Sequence, residues 1–146
     1  MLEPVAINSE NVEIVSQYKY LGVTIDDHLT FSEHIHKVYV KCAQRITFLR
    51  MLKNLHVDKT ILLLFYKSVI ESVITFSFVS WFGNSTKKDT KKLFKIQKIV
   101  RRMDLTVTEL SAIYNQHVTK MEQKIMCDPT RPLFSSYLSL PSNRGL

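Results

Sequence analysis

The sequence predicts a mainly α-helical protein, in which an N-terminal β-hairpin precedes a bundle of about four helices and an extended C-terminal tail. Its 146 residues include only three Gly and four Pro, and 45% of them are hydrophobic, which favours helices over a strand-rich sandwich. From residue 30 onward the apolar residues recur at spacings of three and four. We therefore expect a single helical domain over residues 1–127 and a Pro- and Ser-containing tail over 128–146.

Two short strands are predicted near the N-terminus. Residues 11–15 alternate polar and apolar side chains, and residues 18–25 are rich in Tyr, Val, Thr and Ile. Ser16 and Gln17 leave room for a tight connection between them. The two segments are therefore expected to pair as a hairpin.

Residues 30–84 carry two helix-start signals, which predict two successive helices. Thr30 and Glu33 form a T-x-x-E capping box for a first helix that runs to about Asn54. Asp58 is expected to cap a second helix, apolar on nearly all sides and therefore central, that ends at Gly83 and Asn84.

Two more helices are predicted by the same signals. Thr86 and Asp89 are expected to cap a third helix. Thr106 and Glu109 form another T-x-x-E box, which predicts a fourth helix that Pro129 stops.

The run from Ile61 to Phe82 is long enough to span a bilayer, but its centre holds Lys67 and Glu71, which are costly in hydrocarbon. A core helix is the better interpretation. The first residues lack a basic region followed by an apolar one, and Cys42 and Cys127 form no CxxC or Cys/His pattern. We expect a reduced intracellular protein, nuclear or cytoplasmic, that is not secreted and does not contact a membrane.

The tandem carboxylates Asp26 and Asp27 invite a comparison with a polymerase metal site. Two-metal catalysis needs carboxylates that converge from separate strands, whereas neighbouring residues of one strand point to opposite faces. Only 25 residues precede Asp26, and none of them is Asp. The pair is interpreted as the end of a strand and a turn before a helix, where acidic residues are favourable.

Other chemical motifs are equally weak. His34 and His36 would point about 200° apart on a helix and cannot clasp one ion, so exposed or capping roles are expected for them and for His28. Cys42 falls on the apolar stripe of the first helix and is expected to be a core residue. The sequence contains no GxSxG, GxGxxG or P-loop. We predict no catalytic residue, no metal site and no cofactor.

The most informative segment is the basic run at residues 86–102. It holds eight of the chain's 20 Lys and Arg residues against one acid, Asp89, whereas a solvated helix face would carry interleaved Glu partners. With a net charge of +7, this predicts salt-dependent, sequence-indifferent binding to an RNA or DNA backbone. The predicted contact residues are Lys87, Lys88, Lys91, Lys92, Lys95, Lys98, Arg101 and Arg102.

A second basic set lies on the first two predicted helices: Lys37, Lys41, Arg45, Arg50 and Lys53. Positions 37, 41 and 45 share one helix face, so this row is a candidate extension of the same electropositive surface.

Several motifs, taken in order, resemble the segment that follows the reverse transcriptase domain of LINE-type non-LTR retrotransposon polyproteins. They are YKYLGVTIDDHLTFSEHI at 18–35, the CAQR run from Cys42, the FY and IESVI runs from Phe65, WFGN from Trp81, the L-x3-Q-x2-V pattern from Leu93, DP-x2-PLF from Asp128 and LPS from Leu140. Members of that family usually carry a Gly-containing turn and a Leu-Pro step after the basic helix, and residues 101–110 lack both. The same kind of segment also resembles what is classed as the N-terminal domain of AlkB-homologue tRNA-modifying proteins.

The two resemblances imply different origins for the chain. The first implies a non-catalytic, thumb-side fragment of a reverse transcriptase whose catalytic aspartates lay upstream. The second implies a domain of a 2-oxoglutarate-dependent dioxygenase and methyltransferase protein acting on tRNA, with catalysis outside this chain. A third interpretation is a helical module whose basic face meets an acidic protein.

Overall fold

The computed structural model describes residues 6–7 and 10–137, and it confirms a mainly α fold that begins with a β-hairpin. Four short strands come first: β1 (Ala6–Ile7), β2 (Glu10–Asn11), β3 (Gln17–Tyr20) and β4 (Val23–Asp26). β1 pairs antiparallel with β2, and β3 pairs antiparallel with β4.

The hairpin beside the helices is β3–β4, which places its turn later than the sequence predicted. Residues 12–15 form no strand, and Tyr20 pairs with Val23 across a two-residue turn. Both turn residues have positive φ, 45° at Leu21 and 88° at Gly22, as a type I′ turn requires. The prediction of one hairpin from 11–15 and 18–25 was wrong because Gly22 folds the second segment back on itself.

α1 (Ser32–Asn54) ends at the predicted residue and buries the predicted stripe, which includes Ile35, Cys42 and Leu49. Its predicted capping box was wrong. Phe31 is the N-cap, in a left-handed conformation without a side-chain cap. The backbone N–H groups just before α1 instead donate to the Asp26 carboxylate, Thr30 at 2.9 Å and Phe31 at 2.6 Å.

The second predicted helix is interrupted. Asp58 does cap α2 (Lys59–Phe65), accepting from the Thr60 N–H at 2.7 Å. A π-helical turn (Tyr66–Glu71), α3 (Ser72–Thr75) and α4 (Phe78–Trp81) follow, with a break at Phe76 and Ser77.

Hydroxyl groups account for part of this irregularity. Ser68, Ser72 and Thr75 each donate to the carbonyl four residues earlier, a contact that bends helices. Phe76 is extended, with ψ 123°, which ends α3, and Ser77 follows with φ 49°. Trp81 Nε1 donates to the Phe76 carbonyl at 3.0 Å across the break. No helix in the described ranges is both long and apolar enough to cross a bilayer.

α5 (Lys87–Arg101) begins as predicted, with Thr86 Oγ1 accepting from the Asp89 N–H at 3.2 Å. Its apolar stripe packs against α1, which also contacts the π-helical turn, and these elements form the core. The largest fully buried side chains in this part of the chain include Trp81, Tyr66, Phe78, Ile70, Leu93 and Ile96. Burying each such side chain contributes roughly 1.5–3 kcal/mol.

Beyond α5 the chain first runs without helix, and Met103, Leu105 and Val107 are buried in alternation. α6 (Leu110–Met126) follows, with Glu109 as its N-cap residue. The Glu109 side chain makes no capping hydrogen bond, so the second predicted capping box was also wrong. A 3₁₀ turn (Phe134–Tyr137) follows, where an extended tail was expected, and residues 138–146 lie outside the described residues.

The chain divides into two compact units, one ending at Val107 and the other beginning at Thr108. The predicted division into 1–127 and 128–146 stays a prediction.

Candidate nucleic-acid interface

The predicted basic residues lie on one side of α5, opposite its buried side. Five residues of the helix are buried: Asp89, Leu93, Ile96, Gln97 and Val100. At 3.6 residues per turn these share a single face, and seven of the eight Lys and Arg residues of 87–102 project from the opposite half of the helix, while Lys92 lies at the edge of the buried face. All of the eight except Lys92 are exposed.

Five of the eight form a single row along the axis of α5. Lys87, Lys91, Lys95, Lys98 and Arg102 follow each other at spacings of four, four, three and four. With a rise of 1.5 Å per residue, the row extends about 22 Å. We call this row and its flanking Lys88 the basic ridge.

The basic ridge has no counter-charge within the described part of the chain, since none of its six residues makes an ion pair there. Lys92 differs from them, because its ammonium lies 2.7 Å from Asp89 Oδ1. Arg101 also has an interaction of its own. Among the basic residues of 87–102, the ridge therefore carries the positive charge that stays available to a ligand.

Asp89 connects the ridge helix to α1. Its carboxylate accepts from Ser32 Oγ at 2.7 Å, from Thr86 Oγ1 at 2.8 Å and from Lys92 Nζ. Burial alone would raise the pKa of this carboxyl group, but these three donors lower it from 3.8 to about 2. The Thr86–Asp89 cap was visible in the sequence, whereas the contact with Ser32 joins residues 57 apart and left no local signal.

Four residues of the second basic set, Lys37, Lys41, Arg45 and Lys53, do not extend the basic ridge. Arg45 Nη1 donates to the Val69 carbonyl at 2.5 Å, and Lys53 Nζ donates to the Met103 carbonyl at 3.0 Å, so both serve the packing of α1. α1 faces α5 at Ser32, and Lys41 lies nine residues later, half a turn around the helix. Lys37 and Lys41 instead lie beside the hairpin and α3.

Asp26 and Asp27 have the structural roles that the sequence predicted. Asp26 holds the start of α1, and Asp27 Oδ1 lies 2.6 Å from His28 Nδ1 at the surface. Partial burial would raise the pKa of Asp26, but the N–H groups of Thr30 and Phe31 lower it overall. The hydrogen bond that His28 donates to the Asp27 carboxylate raises the pKa of His28.

Ligand atoms of these three residues all lie within 4.8 Å of one another, which is close enough for a metal ion. The Asp26 oxygens are already engaged by α1, and exposed carboxylates commonly sit this close for other reasons. The absence of a metal site stays a prediction.

One histidine prediction was wrong. His34 was expected to be exposed or capping, but it is 5% exposed and accepts at Nδ1 from the Thr24 N–H at 3.4 Å. Burial, followed by the charges of Lys37 and Lys41, lowers its pKa. His36, on another face of α1, is exposed.

Cys42 is a core residue, as its place in the apolar stripe predicted. It is fully buried, its thiol donates to the Ile70 carbonyl at 3.8 Å, and burial raises its pKa to about 11. A thiol with so high a pKa is a poor nucleophile at neutral pH.

The sequence matches one protein family, described as the N-terminal region of alkylated DNA repair protein alkB homolog 8, over residues 31–72. That segment covers α1, α2 and the π-helical turn, and it is less than a third of the chain. The basic ridge lies outside it. No curated protein and no solved structure matched the chain. The helices that form one side of the core are thus similar to a segment of the AlkB homologue 8 N-terminal domain.

Proposed function

We propose that this chain is a non-catalytic, nucleic-acid-binding domain of the kind found at the N-terminus of AlkB-homologue proteins, and that the basic ridge contacts the RNA backbone of a tRNA. The observation that carries the proposal is the ridge itself, six cations in about 22 Å on a helix face without carboxylate partners in the described residues. The match at residues 31–72 supports the choice of family.

The geometry suits phosphates rather than bases. Lysine ammonium groups are compact point charges on flexible stems, and they bind phosphate without the fork geometry that reads a base edge. The ridge is nearly straight, and it carries one Arg and five Lys residues. Binding through it would depend on ionic strength and would be indifferent to nucleotide sequence.

In this proposal, any catalytic activity of the whole protein resides in residues outside this chain. The resemblance to AlkB-homologue proteins implies 2-oxoglutarate-dependent dioxygenase and methyltransferase activities for the whole protein. In this chain, however, Asp26 and Asp89 hold helix starts and Cys42 packs in the core. The retrotransposon origin rests on the sequence motifs alone and stays a prediction. No separate observation favours the acidic-protein alternative.

A charge-matched pair of variants tests the ridge. K91Q/K95Q removes two adjacent ridge cations, and K120Q/K124Q removes two exposed cations at the same spacing on α6. Both variants change the net charge equally, so only the position of the lost charge differs between them. Binding to fluorescently labelled tRNA is measured by anisotropy at several salt concentrations.

The expected result is that K91Q/K95Q weakens binding about tenfold or more at low salt and lowers the slope of log K against log salt by about two, one for each lost phosphate contact. K120Q/K124Q is expected to stay within about threefold of the wild type. Equal losses in both variants would show that only net charge matters. Salt-independent binding, or none at low salt, would overturn the proposal.

A further inference from the structure

A cavity of about 420 Å³ lies between the β3–β4 hairpin, the first half of α1 and the end of α3. Its lining includes Lys19 from β3, Lys37 and Lys41 from α1, and Phe76 from the break after α3. The size falls within the range of small-molecule sites. All of these elements belong to the unit that ends at Val107.

The charge of the cavity is positive. Lys19 and Lys41 make no ion pair within the described ranges. Lys37 is 3.5 Å from Glu33 and donates to Thr24 Oγ1 at 3.3 Å, so its ammonium is directed toward the hairpin wall. Three cations with one nearby carboxylate favour an anion.

His34 forms part of the wall and stays neutral. Its Nδ1 accepts from the Thr24 backbone N–H, so Nε2 carries the proton, and that buried atom has no hydrogen-bond partner among residues 6–7 and 10–137. Its ring meets Trp81 edge-on, with ring centroids 5.2 Å apart. The wall of the cavity is thus coupled to the single tryptophan of the chain.

Phe76 gives the cavity an aromatic surface. Its ring is at the hairpin turn, where a Cβ on Gly22 would come within 3.2 Å of the ring edge, and 53% of the residue is exposed. The Trp81 indole N–H donates to the backbone carbonyl of Phe76, and this hydrogen bond fixes the backbone at the break after α3. An exposed aromatic ring beside cations is the combination that proteins use to stack a base and hold its phosphate.

We propose that this cavity binds a nucleoside monophosphate unit, with its phosphate among Lys19, Lys37 and Lys41 and its base against Phe76. A bare phosphate or a small carboxylate would leave the aromatic surface and the apolar wall at Val38 and Val73 unused. The unit is either a free nucleotide or an unpaired nucleotide of a strand. The proposal does not depend on the basic ridge, which lies on another helix.

Trp81 fluorescence provides the direct test. The intact protein is titrated with uridine monophosphate, uridine and inorganic phosphate, with excitation at the red edge of the tryptophan band. Saturable quenching by uridine monophosphate is expected, with an affinity at least tenfold higher than that of uridine or phosphate. No saturable response, or equal affinity for phosphate and nucleotide, would overturn the proposal.

Variants assign the response to this cavity. K19Q/K41Q removes two cations that have no ion-pair partner among the residues that the structure describes, so the fold is expected to survive, and circular dichroism checks this. It should weaken uridine monophosphate binding at least tenfold, whereas K91Q/K95Q on the basic ridge should leave it unchanged. Phe76→Leu should weaken nucleotide binding about fivefold without changing that of phosphate. If K91Q/K95Q has the same effect as K19Q/K41Q, the site is not in this cavity.

A short oligouridylate distinguishes the two sources of the ligand. Tighter binding than the monomer, still lost in K19Q/K41Q, identifies an unpaired nucleotide of a strand. Binding of the monomer alone identifies a free nucleotide. A failed tRNA experiment with an intact nucleotide response would overturn the ridge and leave the cavity standing.

Discussion

At the scale of single residues, two carboxylates organise the helices of the larger unit. Asp26 accepts the first N–H groups before α1, and Asp89 accepts from Ser32, Thr86 and Lys92 where α1 meets α5. Charge-assisted bonds of this kind are among the stronger ones in proteins, because the acceptor is ionised and partly shielded from water.

Replacing Asp89 tests its contribution. Because its pKa in the folded state is about 2 and its ordinary value is 3.8, the ionised carboxylate stabilises the fold above about pH 4, and this contribution is lost as the pH falls through 2. The shift corresponds to a contribution on the order of 2 kcal/mol. D89N is therefore expected to be less stable at pH 7 by about this amount, with a flatter stability profile below pH 4, in urea denaturation.

The control for D89N is D27N, which removes an exposed carboxylate whose described side-chain partner is His28. It is expected to change the free energy of unfolding by less than about 0.5 kcal/mol. Wild type and D89N with the same dependence on pH would contradict the role given to Asp89.

At the scale of elements, departures from regular structure determine where groups meet. The π-helical turn presents the Val69 and Ile70 carbonyls to Arg45 and Cys42 of α1. The break after α3 places Phe76 against the hairpin turn at Gly22. A straight helix from Lys59 to Trp81 would present neither contact, so the packing of α1 depends on this irregular segment.

The hairpin turn gives the element-scale prediction. Gly22→Ala forces a side chain into φ 88° and brings its Cβ to 3.2 Å from the Phe76 ring. The expected cost is about 1–2 kcal/mol in the free energy of unfolding, measured by urea denaturation. Gly83→Ala is the matched control, since Gly83 is exposed and its φ is not positive. Equal stability of the two variants would show that the turn does not require a glycine.

At the scale of the whole molecule, the net charge of +7 is distributed unevenly. Several cations are engaged in structure, among them Arg45 with Val69, Lys53 with Met103 and Lys92 with Asp89, whereas the ridge residues make no ion pair in the described part of the chain. The field outside the chain is therefore expected to be strongest along α5, and association with polyanions is expected to be steered there.

This distribution predicts indifference to sequence. Two RNAs of equal length and unrelated sequence should bind within about threefold of each other at one salt concentration, because phosphate contacts carry no base information. Competition anisotropy measures the ratio. A preference of a hundredfold would indicate direct base readout and contradict binding through the ridge alone.

The sequence by itself determined the fold class, the extent of α1, the caps at Asp58 and Thr86 and the position of the basic run, because each follows from local propensity and spacing. It also predicted a core role for Cys42 from its place in a stripe. The T-x-x-E pattern at Thr30 gave a wrong prediction of the N-cap of α1, because the Asp26 carboxylate, four residues earlier, accepts the N–H groups at this helix start.

Only the tertiary structure decided which cations remain available to bind a ligand. It also decided that the break after α3 places Phe76 against the hairpin turn at Gly22. Ser32 donates to Asp89 although the two residues are far apart in the chain. Lys19 and Lys41, also distant in sequence, line the same cavity. Such contacts depend on how helices pack and on a π-helical turn that no local pattern specifies, because competing backbone and side-chain hydrogen bonds differ by small free energies there.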